Sequence, residues 1–468
     1  MQFIRFIINL IILLILLLIP KFMLGCSTFE VKNGDHLAYA HNLNQGDMGV
    51  PGLVFINKRG MFKAGRTWDE LTTTKPKLVS TLTWISRYGS VTFNTFGRDF
   101  PDGGVNEAGL FIWEMSENAD YPVDKKKPAL SQVNWMQYML DTCLTVEDAV
   151  RTAGEVSIDG WGWQYFIGDA WGNTAAIKFT DGKPVVSTGA DMPIHGLFNS
   201  PYDWELELMR YYEGFGGLYS SEVTDPRVPR FVRYARLMRE MRPTDDVAQY
   251  GLAMLQTLKV HDDPEWSVLY DETNRELYFR TRVHPDVKKL LFAQIDFSIA
   301  TPTMILDMDE AVPGDVVGQF AAYSQDADKA FLMNRLKPIV PEKFFSEELS
   351  TDTCIENIAR HTDRDAALAT ERLAGVWSNL ATKQEKEMAL VVTLVSQGAA
   401  LSGHAVIHDN GEELVLDHLS LAGDVLRFTF FTPKGAVVEA VAKLKGNTME
   451  VRLNGAECYY GTYTISRT

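Results

Sequence analysis

Cysteine is scarce in this chain: there are four in 468 residues, and no two of them form a CxxC pair. A disulfide-built scaffold and a cysteine zinc site are both excluded. HExxH is absent, and so are a G-x-S-x-G elbow and a Walker-type phosphate loop, which removes zinc-peptidase, serine-hydrolase and P-loop chemistry from the reading. The nine histidines are scattered without ligand spacing, and His36, His195 and His284 read as structural. No metal and no organic cofactor is implied. Positive charge is also short, with 45 Lys plus Arg against 61 Asp plus Glu and a net charge of −16. Such a surface repels phosphate backbones, so a nucleic-acid partner is excluded. Repeats and low-complexity tracts are missing. An apolar fraction of 46% with 23% charged residues is ordinary for a globular chain, and the length suggests two or three domains.

The only greasy run lies at the start. Arg5 precedes Phe6 to Ile19, which is apolar apart from Asn9, and Pro20 and Lys21 end it. That is short for a membrane span, and the small Gly25 stands just before Cys26, so residues 1–25 read as a secretory signal. An uncleaved anchor is the lesser alternative. The mature chain is then exported, either periplasmic or secreted. Met23-Leu24-Gly25-Cys26 also resembles a bacterial lipobox, with Met23 and the bulky Leu24 as departures from it. Two readings of Cys26 stay open: a free cysteine heading the mature chain, or a cysteine carrying a lipid tether to the outer membrane.

From Cys26 to Val340, short strand-like runs alternate with amphipathic helical stretches, an α+β plan. Leu130 to Ala153 reads as one helix, and Trp204 to Tyr211 and Phe231 to Met241 as two more. Residues 341–372 read as a charged helical linker. From 373 to 468, eight strand-like runs are separated by turn signals such as Asn410-Gly411, Gly423-Asp424 and Gly446-Asn447, which predicts a small antiparallel barrel or sandwich that binds, packs or supports a homo-oligomer. Cys143 reads as core. Cys354 and Cys458 are either a disulfide formed after export or two buried thiols.

A cysteine at a chain start brings its own base. A terminal α-amine has a pKa near ~8, so much of it is neutral at physiological pH and can take the thiol proton. Cys26-Ser27-Thr28-Phe29, the segment from Leu53 to Gly60 and the block Tyr88 to Asn94 resemble the choloylglycine hydrolase and penicillin V acylase family. These are linear-amide hydrolases of the N-terminal nucleophile class. Gly104 to Leu110, Asn199-Ser200-Pro201, Pro229-Arg230-Phe231 and Trp266 to Asp271 continue the likeness in order.

The resemblance implies an αββα sandwich for residues 26–340 and an N-acyl amide as the small-molecule substrate. It also implies Cys26 as nucleophile, Asn199 and Asn106 as oxyanion donors, and Arg230 as a positive neighbour of the thiol. Taken singly, Asn199 and Asn106 are also what turns use, and Arg230 is also what a helix start uses. Two positions depart from the family. His41 stands where it usually has Arg or Lys, and Asn44 stands where an aspartate holds the α-amine. Asparagine accepts a hydrogen bond but brings no negative charge, so the site is expected to be functional and altered. His41, Trp113 and Trp163 are candidate substrate contacts, and Trp161 and Trp171 are further ring candidates for an acyl pocket. The rival readings are a Cys26-lipidated binding protein without catalysis, and an acyltransferase using the same thioester.

Overall fold

The computed structural model describes residues 25–45, 48–260, 264–360, 373–383, 388–397, 400–407, 412–422, 425–455 and 459–467. The signal segment up to residue 24, Cys458 with its expected pairing to Cys354, and the turn pairs Asn410-Gly411 and Gly423-Asp424 lie outside them.

The chain begins its sheet with a hairpin. Ser27–Asn33 and His36–Leu43 pair antiparallel with Ser27 opposite Asn42 and Asn33 opposite His36. Gly34, at φ +62°, supplies the left-handed turn residue that L-residues avoid. This register continues past the strand ends and sets Gly25 beside Asn44, where the Gly25 amide donates to the Asn44 carbonyl at 3.2 Å. Cys26 is thereby placed by a two-strand register.

Around this hairpin grows a seven-stranded sheet, with Gly196–Leu197 on one side and Trp266–Asp271, Glu276–Thr281, Lys288–Leu291 and Gly314–Asp315 on the other. A nine-stranded sheet stacks on it and includes Leu53–Asn57, Ser90–Asn94, Gly103–Asn106, Phe111–Ser116 and Trp163–Gly168. Period-two alternation divides the Phe111–Ser116 strand cleanly. Phe111, Trp113 and Met115 join the core between the sheets, while Ile112 joins the core under the helices. Arg230–Glu240 and Val247–Thr257 contribute Phe231, Tyr234, Met254 and Leu255 to the first core. Gln132–Thr142, Val146–Thr152 and Thr351–Ala359 cover the other sheet through the second core. Helix, sheet, sheet, helix is the layering expected from the sequence.

Two elements differ from the sequence reading. The helix expected from Leu130 to Ala153 is two helices, because Cys143 is extended at φ −102°, ψ 142°. Thr145 then starts a new helix with a reciprocal capping box to Asp148, a local signal that outweighs the continuing apolar spacing. The C-terminal sheet has nine strands rather than eight, in the order Glu412–Val415, Ala400–Ile407, Leu390–Gln397, Gly375–Ser378, Tyr460–Arg467, Thr448–Asn454, Val437–Lys445, Val425–Phe431, Asp417–Ala422. The run expected from Glu413 to Leu419 is divided between its two edges, which makes the sheet nearly closed. Phe62 and Ile85, from a two-stranded ribbon of the first part of the chain, enter its core. The segment expected as a linker carries Thr351–Ala359, and its Cys354, Ile355 and Ile358 are buried in the second core.

Lys63 on that ribbon is buried and pairs with Asp99 at 2.9 Å and Asp141 at 3.0 Å. Asp141 also accepts from Trp84 Nε1 at 2.7 Å and Gln137 Nε2 at 2.9 Å. Arg98 Nε stands 3.9 Å from the far oxygen of Asp99, so removing Lys63 strands the Asp141 carboxylate and leaves Asp99 with a longer ion pair. Lys63→Met is expected to cost about 3–5 kcal/mol in chemical denaturation, whereas a loss well under 1 kcal/mol would mean that water reaches the cluster.

Candidate active site around Cys26

Cys26 lies just before the Ser27–Asn33 strand and is 0% exposed. Its thiol approaches the Asn44 carbonyl at 3.8 Å. Burial first, and then the Glu114 carboxyl, push the thiol well above its usual value, while Arg230 acts in the opposite direction. A thiol in this state is protonated and needs a base before it can attack.

The Gly25–Cys26 peptide is held from several directions. Asn44 Nδ2 donates to the Gly25 carbonyl at 3.0 Å. Arg230 Nη1 donates to the same oxygen and to the Cys26 carbonyl at 2.8 Å. Gly25 itself is required by space, since a Cβ there would stand 2.7 Å from Val260 Cγ2. Two donors on one carbonyl oxygen polarise it, in the way an oxyanion site does. The Arg230 guanidinium reaches further, with Nη2 donating to Asn199 Oδ1 at 3.1 Å. Asn199 Nδ2 in turn donates to the Ser116 carbonyl at 3.1 Å. Desolvation draws the Arg230 guanidinium down to about 10, and the buried carboxyl of Glu205 works against that fall. At neutral pH it keeps its charge.

Four of the residues singled out in the sequence therefore meet: Cys26, Asn44, Asn199 and Arg230. Asn106 does not join them. Its Nδ2 donates to the carbonyls of Leu140 and Cys143 at 3.0 and 2.9 Å, and its Oδ1 accepts from Ala108 and Leu110. Every polar atom of that side chain is committed to a turn and a helix end. His41 and Trp113 stack on each other at 4.0 Å between the sheets, both fully buried. Burial lowers His41 well below its usual range, so it stands as a neutral packing ring with Nδ1 on Thr28 Oγ1 at 2.8 Å.

Asn199 also borders a cavity of ≈ 560 Å³. Trp161 and Trp163 line it, with Phe96 and Phe344, and so do Ser116 and Asp102. Trp171 is 59% exposed and stands apart. Beside Phe96, Gly97 bends the chain at φ +83°, where a Cβ would meet Asp328 Oδ1 at 2.7 Å. Sequence reasoning missed Asp102, Glu114 and Ser116. The signal was an acid, Glu114, inside an otherwise apolar strand run, which breaks the pattern without a turn nearby.

Asp102 Oδ2 accepts from the Thr95 amide at 2.6 Å, yet burial pushes its carboxyl from 3.8 to about 7. Between those values the folded chain holds a proton that the unfolded chain releases, so this group lowers stability as pH rises from 3.8 to about 7. Asp102→Asn cannot ionise and keeps an acceptor. It is expected to raise Tm at pH values above 7 and to change it little below 4, as read by thermal melts across that range. An equal gain at both ends would contradict the assignment.

No family model matches the chain. A penicillin V acylase of Pectobacterium atrosepticum is 27% identical over 292 residues, covering 51% of this chain and 77% of that protein. The solved penicillin V acylase of Agrobacterium tumefaciens is 23% identical, covers 64% of this chain and 98% of its own, and superposes with a TM-score of 0.55. A conjugated bile acid hydrolase of Clostridium perfringens follows at 14% identity, 60% and 96% coverage and a TM-score of 0.45, too low to argue from. The sequence match bears out the family resemblance read from the motifs, and the Agrobacterium structure shows the shared N-terminal nucleophile hydrolase fold.

Proposed function

We propose that this relative of the penicillin V acylases is an amidohydrolase that cleaves the linear C–N bond of an N-acyl substrate through a thioester on Cys26. The single observation that carries the reading is the joining of Cys26, Asn44, Asn199 and Arg230 by hydrogen bonds at the edge of an aromatic cavity. Export through the 1–25 signal, with cleavage after Gly25, is part of the proposal, because the reaction needs the Cys26 nitrogen out of peptide linkage.

The freed α-amine takes the thiol proton, and sulfur attacks the acyl carbonyl carbon. The oxyanion is met by the Asn199 amide, whose nitrogen carries a second N–H beside the one spent on Ser116. Collapse breaks the C–N bond, and the α-ammonium returns the proton to the leaving amine. Water, activated by the same amine, then releases the acid and restores the thiol. Removal of Gly25 would leave the Asn44 Nδ2 and Arg230 Nη1 donors pointing into the space where its carbonyl had been.

The rival readings of the same cysteine, a Cys26-lipidated binding protein and an acyltransferase, are separated from hydrolysis by intact mass and by product analysis with added amines.

The mature protein is expected to begin at Cys26 by intact mass and to hydrolyse a chromogenic N-acyl amide, and Cys26→Ala is expected to be inactive. An aspartate at 44 would add an anion beside the amine and raise its pKa. Asn44→Asp is therefore expected to move the acid limb of the kcat/KM profile upward by about 1 pH unit. If parent and variant are both inactive while circular dichroism shows an intact fold, the hydrolase reading fails.

A further inference from the structure

Glu114 is an acid inside the Phe111–Ser116 strand. It is fully buried, and neither of its carboxyl oxygens has a hydrogen-bond partner. Leaving such a group dry and unpaired is costly, so its position asks for a ligand.

Its neighbours say which kind. In the Phe111–Ser116 strand, Glu114 shares a face with Ser116, and Ser116 lines the cavity. Across the ladder, Ser116 pairs with Trp163, which also lines the cavity, and Glu114 pairs with Tyr165 one step deeper. On the other side Gly103 pairs with Trp113, so Asp102 stands opposite Glu114, whose amide donates to the Asp102 carbonyl at 3.3 Å. Directly opposed residues on one sheet face bring their Cβ atoms to ~4.5–5.5 Å. Asp102 is itself part of the cavity wall. Asp102 thus lines a space also bordered by Phe96, Trp161, Trp163 and Phe344, with Glu114 beside it behind that wall.

Nothing basic answers them. Among the described residues lining the cavity there is no lysine, arginine or histidine, and Glu117 adds a further acid. Arg230 is turned to the carbonyls of Gly25 and Cys26 and to Asn199. Lys63 is held by Asp99 and Asp141. The Tyr121 and Tyr165 hydroxyls bond each other at 2.8 Å.

We propose that this cavity takes an acyl group carrying a basic nitrogen, whose ammonium charge is met by the Asp102 carboxyl in the wall, with the Glu114 carboxyl behind it, and by the faces of the surrounding rings. A purely hydrocarbon acyl group would leave both carboxyls unmatched, whereas a cation supplies their counter-ion and is attracted to aromatic faces. Burial holds both carboxyls above the usual range, and Asp102 pushes Glu114 up further. The inference deepens the hydrolase reading and rests on it for the identity of the acyl group.

The test is a ladder of ω-aminoacyl p-nitroanilides, each set against the n-alkanoyl anilide of the same length. For the mature protein, kcat/KM at the best length is expected to favour the amino-terminated substrate by about tenfold or more, and Asp102→Asn/Glu114→Gln is expected to invert that ratio. An alkanoyl preference at every length, or an unchanged ratio in the double variant, overturns the inference. If no anilide is turned over by the parent, the hydrolase reading is what has failed, and calorimetry with n-alkylamines decides the cavity by itself. Alkylammonium binding that is lost in the double variant supports the site. Equal binding, or none by the parent, overturns it.

Discussion

One guanidinium holds the site together. Arg230 heads its helix and sends N–H groups to the Gly25 and Cys26 carbonyls and to Asn199. It therefore joins three segments separated by up to about two hundred residues of chain. A desolvated cation is expensive unless it is satisfied, and the planar fork of arginine lets several acceptors share the cost. Each of those acceptors is positioned by something more local: the hairpin register for Gly25 and Cys26, the Ser116 carbonyl for Asn199. Misplacing any one would leave charge unmatched beside a buried thiol, so the fold and the site depend on the same contact.

Charge is distributed unusually around this centre. On the side of the nucleophile lies Arg230, with Glu205 behind it. On the cavity side lie Asp102 and Glu114, which raise the thiol rather than lower it. A thiol between them stays protonated, so nucleophilicity has to come from the α-amine and not from a standing thiolate. Asparagine at position 44 agrees with this picture. It donates to a carbonyl, which an aspartate could not do, and it adds no further anion to a region already rich in acids.

Much of this was legible in the sequence, and the gaps have physical causes. Cys26, Asn44, Asn199 and Arg230 were found because their neighbours form ordered motifs, and the structure joins them. Asn106 sits in an equally recognisable motif, but its amide is consumed by Leu140 and Cys143, partners that only tertiary folding supplies. His41 and Trp113 are instead stacked on each other in the core between the sheets. Asp102 and Glu114 were passed over because each is an isolated acid with no motif around it. Their adjacency exists only in the strand pairing. The divided helix at Cys143 shows a capping box outweighing periodicity, and the ninth C-terminal strand shows one apolar run shared between two sheet edges.

The central claim concerns a covalent bond, and it is best tested by catching that bond. Mature protein mixed with a slowly turned-over N-acyl amide, quenched in acid and digested, should yield a peptide beginning at Cys26. That peptide should carry the mass of the acyl group, and hydroxylamine should remove it as it removes a thioester. Turnover by a chain whose Cys26 stays unacylated, still follows Gly25 in peptide linkage, or bears diacylglycerol would contradict the account.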